Sequence, residues 1–122
     1  MAKDLKVSYL LDFYGDMLTA PQREMVEAYY NQDLSLGEIA LDREITRQGV
    51  RDAVKRAEQQ LFEMEERLGL ARRFQHVQEA LTAICDCALN IQEINAQAGG
   101  APGIDENAAK ILMQAQEIAD EE

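Results

Sequence analysis

A chain of 122 residues with 47% hydrophobic side chains and two prolines suits a compact helical protein that buries roughly two-thirds of the surface its unfolded form exposes. Its net charge of −11 argues against a general nucleic-acid binder, since affinity for phosphate comes largely from cationic neutralisation, and favours solubility and basic protein partners. No apolar run approaches the roughly 20 residues needed to span a bilayer. The start MAKDLKVSYLL has no processed-signal pattern, so a cytoplasmic location is expected.

Residues 4–17, DLKVSYLLDFYGDM, set Val7, Leu10, Leu11 and Tyr14, with Leu18 just beyond, at spacings of three and four, which predicts an amphipathic helix. Phe13 and Tyr14 read as core anchors, because aromatics that stack on bases need a basic groove and only Lys3 and Lys6 are near. Thr19 and Gln22 form a T-x-x-Q capping box with Pro21 in the first turn, opening a helix from about Ala20 to Asn31 that buries Met25, Val26, Tyr29 and Tyr30. Residues 31–33 are a polar break.

Ser35 and Glu38 make a second capping box, this time at the head of a short helix with Leu36, Ile39 and Ala40 on its inner side. Ile45 is expected to be a buried turn residue and Thr46 the N-cap of the next helix, whose Val50, Val54 and Ala57 face inward. A short helix, a tight turn and a second helix with its own apolar stripe is the pattern of a helix-turn-helix.

The polar side of the second helix gives that pattern a direction. Arg43, Arg47, Arg51 and Lys55 recur every fourth residue with Arg56 beside them, and residues 43–56 hold five basic side chains against Glu44 and Asp52. In helix-turn-helix proteins the second helix enters the major groove with its first turns on base edges. Arg47 and Gln48 occupy those turns, and Arg can bind guanine, Gln adenine, through paired hydrogen bonds. The competing reading is a solvated face whose arginines pair with local acids.

The stripe then runs on through Leu61, Met64 and Leu68 at alternating spacings of four and three, a seam able to pack against the first helix of the same chain or, more sharply, against a partner chain. Gly69 weakens the helix and predicts a bend or hairpin. Phe74, Val77, Leu81, Ile84, Ala88 and Ile91 resume the repeat in a helix from about Ala71 to Ala96, too long on its apolar face for a small head to cover. QAGGAPG, residues 97–103, breaks the chain, and a last helix is expected from Asp105 as its cap, carrying Ala108, Ile111, Leu112, Ala115 and Ile118. The pattern thus divides a helix-turn-helix head, 1–70, from a C-terminal helical extension, 71–122, read as an oligomerisation element that makes the protein a homodimer. The charge splits as −5 before the boundary and −6 after it.

Nothing in the chain suggests catalysis or a cofactor. Cys85, Cys87 and His76 are the only soft metal ligands, and two helical residues two apart point to different sides, so free thiols are expected and no metal. There is no Gly-rich phosphate loop and no Ser/His/Asp order, and a lone His is a weak general base; an enzyme is not expected.

Several short blocks in register carry a family resemblance over residues 7–70: Asp12-Phe13-Tyr14, Leu18-Thr19, Tyr29-Tyr30, Asp33 to Leu36, Glu38-Ile39-Ala40, Arg47-Gln48, Lys55-Arg56, and Glu65 to Leu68, with Gln22, Val50 and Asp52 between them. The chain closely resembles the YlxM family of bacterial DNA-binding proteins, whose helix-turn-helix is similar to region four of sigma factors. The resemblance implies an all-α protein with a regulatory or accessory role in the signal recognition particle pathway. Three residues depart from the family pattern: Glu44 where such turns prefer Gly, Gly49 for a usual Ala, and Arg51 where Tyr is common.

Two functions follow as expectations. In one the chain is a dimeric regulator with Arg47, Gln48 and Arg51 at base edges of DNA or of the particle RNA, and Arg43, Lys55 and Arg56 at phosphates. In the other the head no longer grips DNA and docks on a basic protein or on the signal recognition particle RNA–protein assembly, whose protein component is the partner the resemblance implies.

Overall fold

The computed structural model describes residues 2–121, which are helical with no strand among them. In chain order the helices are α1 (Leu5–Tyr14), a 3-10 turn at Gly15–Met17, α2 (Ala20–Tyr30), α3 (Leu36–Arg43), α4 (Arg47–Leu68), α5 (Leu70–Gln97) and α6 (Pro102–Glu121). The chain is all-α, as its periodicity indicates, and falls into two compact units, Met1–Ala71 and Arg72–Glu122.

In the first unit each helix start is closed by its own sequence. Lys6 N donates to Asp4 Oδ1 at 3.0 Å ahead of α1. Both capping boxes are formed: Gln22 N donates to Thr19 Oγ1 and Thr19 N to Gln22 Oε1, and Glu38 N donates to Ser35 Oγ and Ser35 N to Glu38 Oε1. Gly49 N donates to Thr46 Oγ1 at 2.9 Å at the head of α4. Each satisfies donors that have no partner inside the helix.

The stripes of the four helices meet in one core. Val7, Leu10, Leu11 and Tyr14 of α1, Met25, Val26 and Tyr29 of α2, and Leu36, Ile39 and Ala40 of α3 close around Val50, Val54, Ala57 and Leu61 of α4. Val50, Val54 and Leu61 have no exposed surface, and burial of each contributes about 1.5–3 kcal/mol relative to exposure. The α4 seam is therefore consumed inside its own chain rather than by a partner. It ends earlier than the spacing suggests, since Met64 is half-buried and Leu68 is 54% exposed.

Two tyrosines, Tyr14 within the core and Tyr30 at its edge, tie α4 down through their hydroxyls. Tyr30 donates its hydroxyl to Glu58 Oε1 at 2.6 Å and accepts from Asp4 N at 3.3 Å. Tyr14 donates to Glu65 Oε1 at 2.6 Å and accepts from Leu70 N at 3.0 Å, and Ala71 N donates to Glu65 Oε1 at 3.0 Å. Burial, and then the carboxylate partner, hold both phenols above the usual range for tyrosine. Gly69, left-handed at φ 64, ends α4 in a single residue before α5 begins.

In the second unit α5 and α6 form a helical hairpin turned at Gly99 and Gly100, both at positive φ. Asn95 directs that turn: its Nδ2 donates to Ala101 O at 2.8 Å and Asp105 Oδ1 at 3.1 Å, and its Oδ1 accepts from Ala101 N. The last helix accordingly starts at Pro102 and not after Asp105. Pro fits the first turn, where no helical donor is lost, and Asp105 lies inside that turn with its carboxylate engaged by Asn95. Leu81, Ala88, Ala108 and Ala115 are buried in the unit.

A candidate nucleic-acid interface

The candidate site is the α3–α4 pair, and the turn between them sets its geometry. Glu44 adopts φ 57, ψ 40, its N–H reaching Leu41 O, while Ile45 N reaches Ala40 O at 3.1 Å. This is a Schellman turn with its left-handed position filled by Glu, where such turns prefer Gly. Ile45 is 44% exposed, which corrects the expectation of a buried turn residue: its part in closing the turn is its backbone N–H and not a buried side chain.

Beyond the turn, the first exposed positions of α4 are Arg47 and Gln48, and Arg51, Lys55 and Arg56 follow on its outer surface. Leu36 of α3 joins Arg47, Gln48 and Arg51 around a cleft of about 430 Å³. Gln48 Nε2 donates to Asp52 Oδ1 at 2.9 Å, which occupies the one carboxylate of the row's own helix face. Among the described residues Arg47, Arg51, Lys55 and Arg56 have no carboxylate within 4.0 Å, whereas Lys3, Arg23 and Arg43 are each ion-paired.

Arg43 stands apart from the row that its spacing implies. It is the last residue of α3, its side chain is 27% exposed, and its guanidinium is ion-paired with Glu24 of α2. A fourfold spacing carried across a turn does not keep residues on one face, and an acid 19 positions away gives no local signal.

The electrostatics of the row are unrelieved. Like charges four apart on a helix cost a few tenths of a kcal/mol per pair, and cations in a first turn oppose the helix dipole. Arg47 does both and Arg51 the first, with no acid in the first turn of α4. A side-chain arrangement that is mildly unfavourable alone becomes favourable against an external anion. No group of three or more His, Cys, Asp or Glu among the described residues could hold a metal ion, and no described helix is long and apolar enough to cross a membrane. Cys85 is half-buried and Cys87 exposed, both as free thiols.

Comparison with known proteins places this geometry in a family. Residues 1–99 match the family described as UPF0122, "Putative helix-turn-helix protein, YlxM / p13 like". A UPF0122 protein of Desulforamulus reducens is 47% identical over 79 residues, covering 65% of this chain and 68% of that protein. One from Thermoanaerobacter sp. strain X514 is 50% identical over 80 residues, covering 66% and 68%, and one from Bacillus velezensis 40% over 93 residues, covering 76% and 84%. With four-fifths of its length matched and a formed α3–turn–α4 unit, the chain belongs to the YlxM/p13-like helix-turn-helix family.

Proposed function

We propose that this chain is a nucleic-acid-binding regulator of the cytoplasm and not an enzyme, with α4 as its reading helix. Arg47, Gln48 and Arg51 contact base edges, and Lys55 and Arg56 contact phosphates. Arg43 reaches a phosphate only by releasing Glu24, so it contributes less than its sequence position suggests. Residues 71–122 join two heads. The observation that carries this reading is the exposed row Arg47–Arg51–Lys55, like-charged at four-residue spacing and free of carboxylate partners in a chain of net charge −11.

A salt titration of binding tests it. With about three to five neutralised phosphates, log K against log salt on duplex DNA should fall with a slope of about −2.7 to −4.5, and somewhat less steeply on single-stranded RNA. The net charge favours a second reading, in which the head docks on the protein component of the signal recognition particle. Binding to that protein, with no binding to duplex DNA or the particle RNA at about 50 mM salt, selects the second reading over the first.

A further inference from the structure

Each helix of the second unit carries two neighbouring seams, and only one is used within the hairpin. On α5 the positions Leu81, Cys85, Ala88, Gln92 and Asn95, spaced 4, 3, 4, 3, are buried or half-buried. Displaced by one residue, Ala80, Ile84, Cys87, Ile91 and Ile94 repeat the same spacing and are all exposed. On α6 Ala108, Leu112, Ala115 and Ala119 form the covered row, while Ile104, Asn107, Ile111, Gln114 and Ile118 form an open one. Ile84, Ile91, Ile104, Ile111 and Ile118 each remain 42–46% exposed. The two open rows make one surface, since Ile111 shares recesses with Ile84, Cys87 and Ile91.

Two adjacent heptad seams per helix, one intrachain and one open, is the pattern of half a four-helix bundle. We propose that the occupant of the open face is a second copy of this chain, the two hairpins packing face to face. Charge singles out that occupant. The residues after Leu70 carry nine acids and three basic side chains, yet no carboxylate lines the recesses of this face, where Lys110 is the only charge. A basic partner would meet carboxylates on its docking surface, and a nucleic acid would meet cations. A face cleared of acid on a strongly acidic unit is what contact with an identical unit requires.

The size is sufficient. The 20 residues of α6 span about 30 Å, and two helices side by side present a face about 20 Å wide, roughly 600 Å² per copy in projection. The pair clears the roughly 1,000 Å² expected of a specific interface. Both twofold axes that lie in this face keep every neighbouring pair antiparallel, and the proposed pair uses the one across the helices, which lays α5 on α5 of the copy and α6 on α6. Cys87, the middle position of the open α5 row, then meets Cys87 of the copy.

The proposal rests on the two-headed part of the proposed function and on none of its nucleic-acid chemistry, so it is tested without nucleic acid. Sedimentation equilibrium of the full chain at about 50 µM should give twice its 13.7 kDa mass. The Ile84→Glu, Ile111→Glu chain should sediment at the single mass with its helical circular dichroism retained. If that variant loses helicity, cross-linking decides: copper–phenanthroline oxidation of the Cys85→Ala chain should give a covalent dimer, and of the Cys87→Ala chain none. A full chain that sediments as a monomer, a doubly substituted chain that stays helical and dimeric, or cross-linking through Cys85 in place of Cys87 overturns the proposal.

Discussion

Replacing Glu44 separates what its backbone costs from what its charge does. Glu44 is held at φ 57, ψ 40 by the Schellman turn that joins α3 to α4. A non-glycine residue in that conformation carries about 1–2 kcal/mol of strain. Glycine removes it but loses about 0.5–1 kcal/mol through the entropy of the unfolded chain. Glu44→Gly should therefore stabilise the protein by about 0.5–1 kcal/mol. In urea, with a slope of about 2 kcal/mol per molar, the midpoint rises by about 0.3–0.5 M at unchanged slope. Glu44→Ala keeps the strain and removes only the charge, so its midpoint should hardly move. Both substitutions remove an anion beside the reading helix and should tighten duplex binding by a similar few-fold, more at low salt than at high. Circular dichroism across a urea series gives the midpoints, and fluorescence anisotropy of labelled duplex gives the affinities. Equal stabilisation by Ala and Gly would refute the backbone argument, and tightening by Gly alone would refute the electrostatic one.

Arg47→Ala should cost about 1–3 kcal/mol at one position of a preferred sequence with little change in stability; a uniform loss across unrelated duplexes reassigns Arg47 to phosphate. Lys55→Ala should weaken binding equally on all sequences and make the salt slope shallower by about 1 for each head bound. Tyr30 and Tyr14 are held above the usual tyrosine value of 10.0, so the folded chain retains protons that the unfolded chain releases as pH rises past 10. Stability should be insensitive to these groups below pH 9 and fall above about 10, and Tyr30→Phe should flatten that fall; urea midpoints from pH 8 to 11 that run level in the parent chain count against the buried phenols. Asn95→Ala removes three hydrogen bonds that organise the α5–α6 turn and should cost about 1–3 kcal/mol with loss of helicity, whereas unchanged circular dichroism and thermal midpoint would show the turn held by its glycines alone.

The sequence by itself determined the local structure, because the interactions that make it are local. Thr19 with Gln22, Ser35 with Glu38, and Thr46 with Gly49 lie three residues apart, so the starts of α2, α3 and α4 are written in adjacent positions and formed as read, whereas α6 starts at Pro102, ahead of the Asp105 read as its cap. The inward rows Val7–Leu10–Leu11–Tyr14 and Val50–Val54–Ala57–Leu61 follow from helical spacing alone. Tertiary structure decided what each row faces. Periodicity reports which residues share a side and is silent on the neighbour, so the α4 seam, read as packing either on the first helix or on a partner chain, closes on α1, α2 and α3, while the second row of α5 stays open. It also sorted the cations. Arg43 and Arg47 look equivalent at a spacing of four, yet Glu24, distant in sequence, claims one and leaves the other exposed. Such long-range pairs, like Tyr30 with Glu58 and Tyr14 with Glu65, arise only once packing has brought separate helices together.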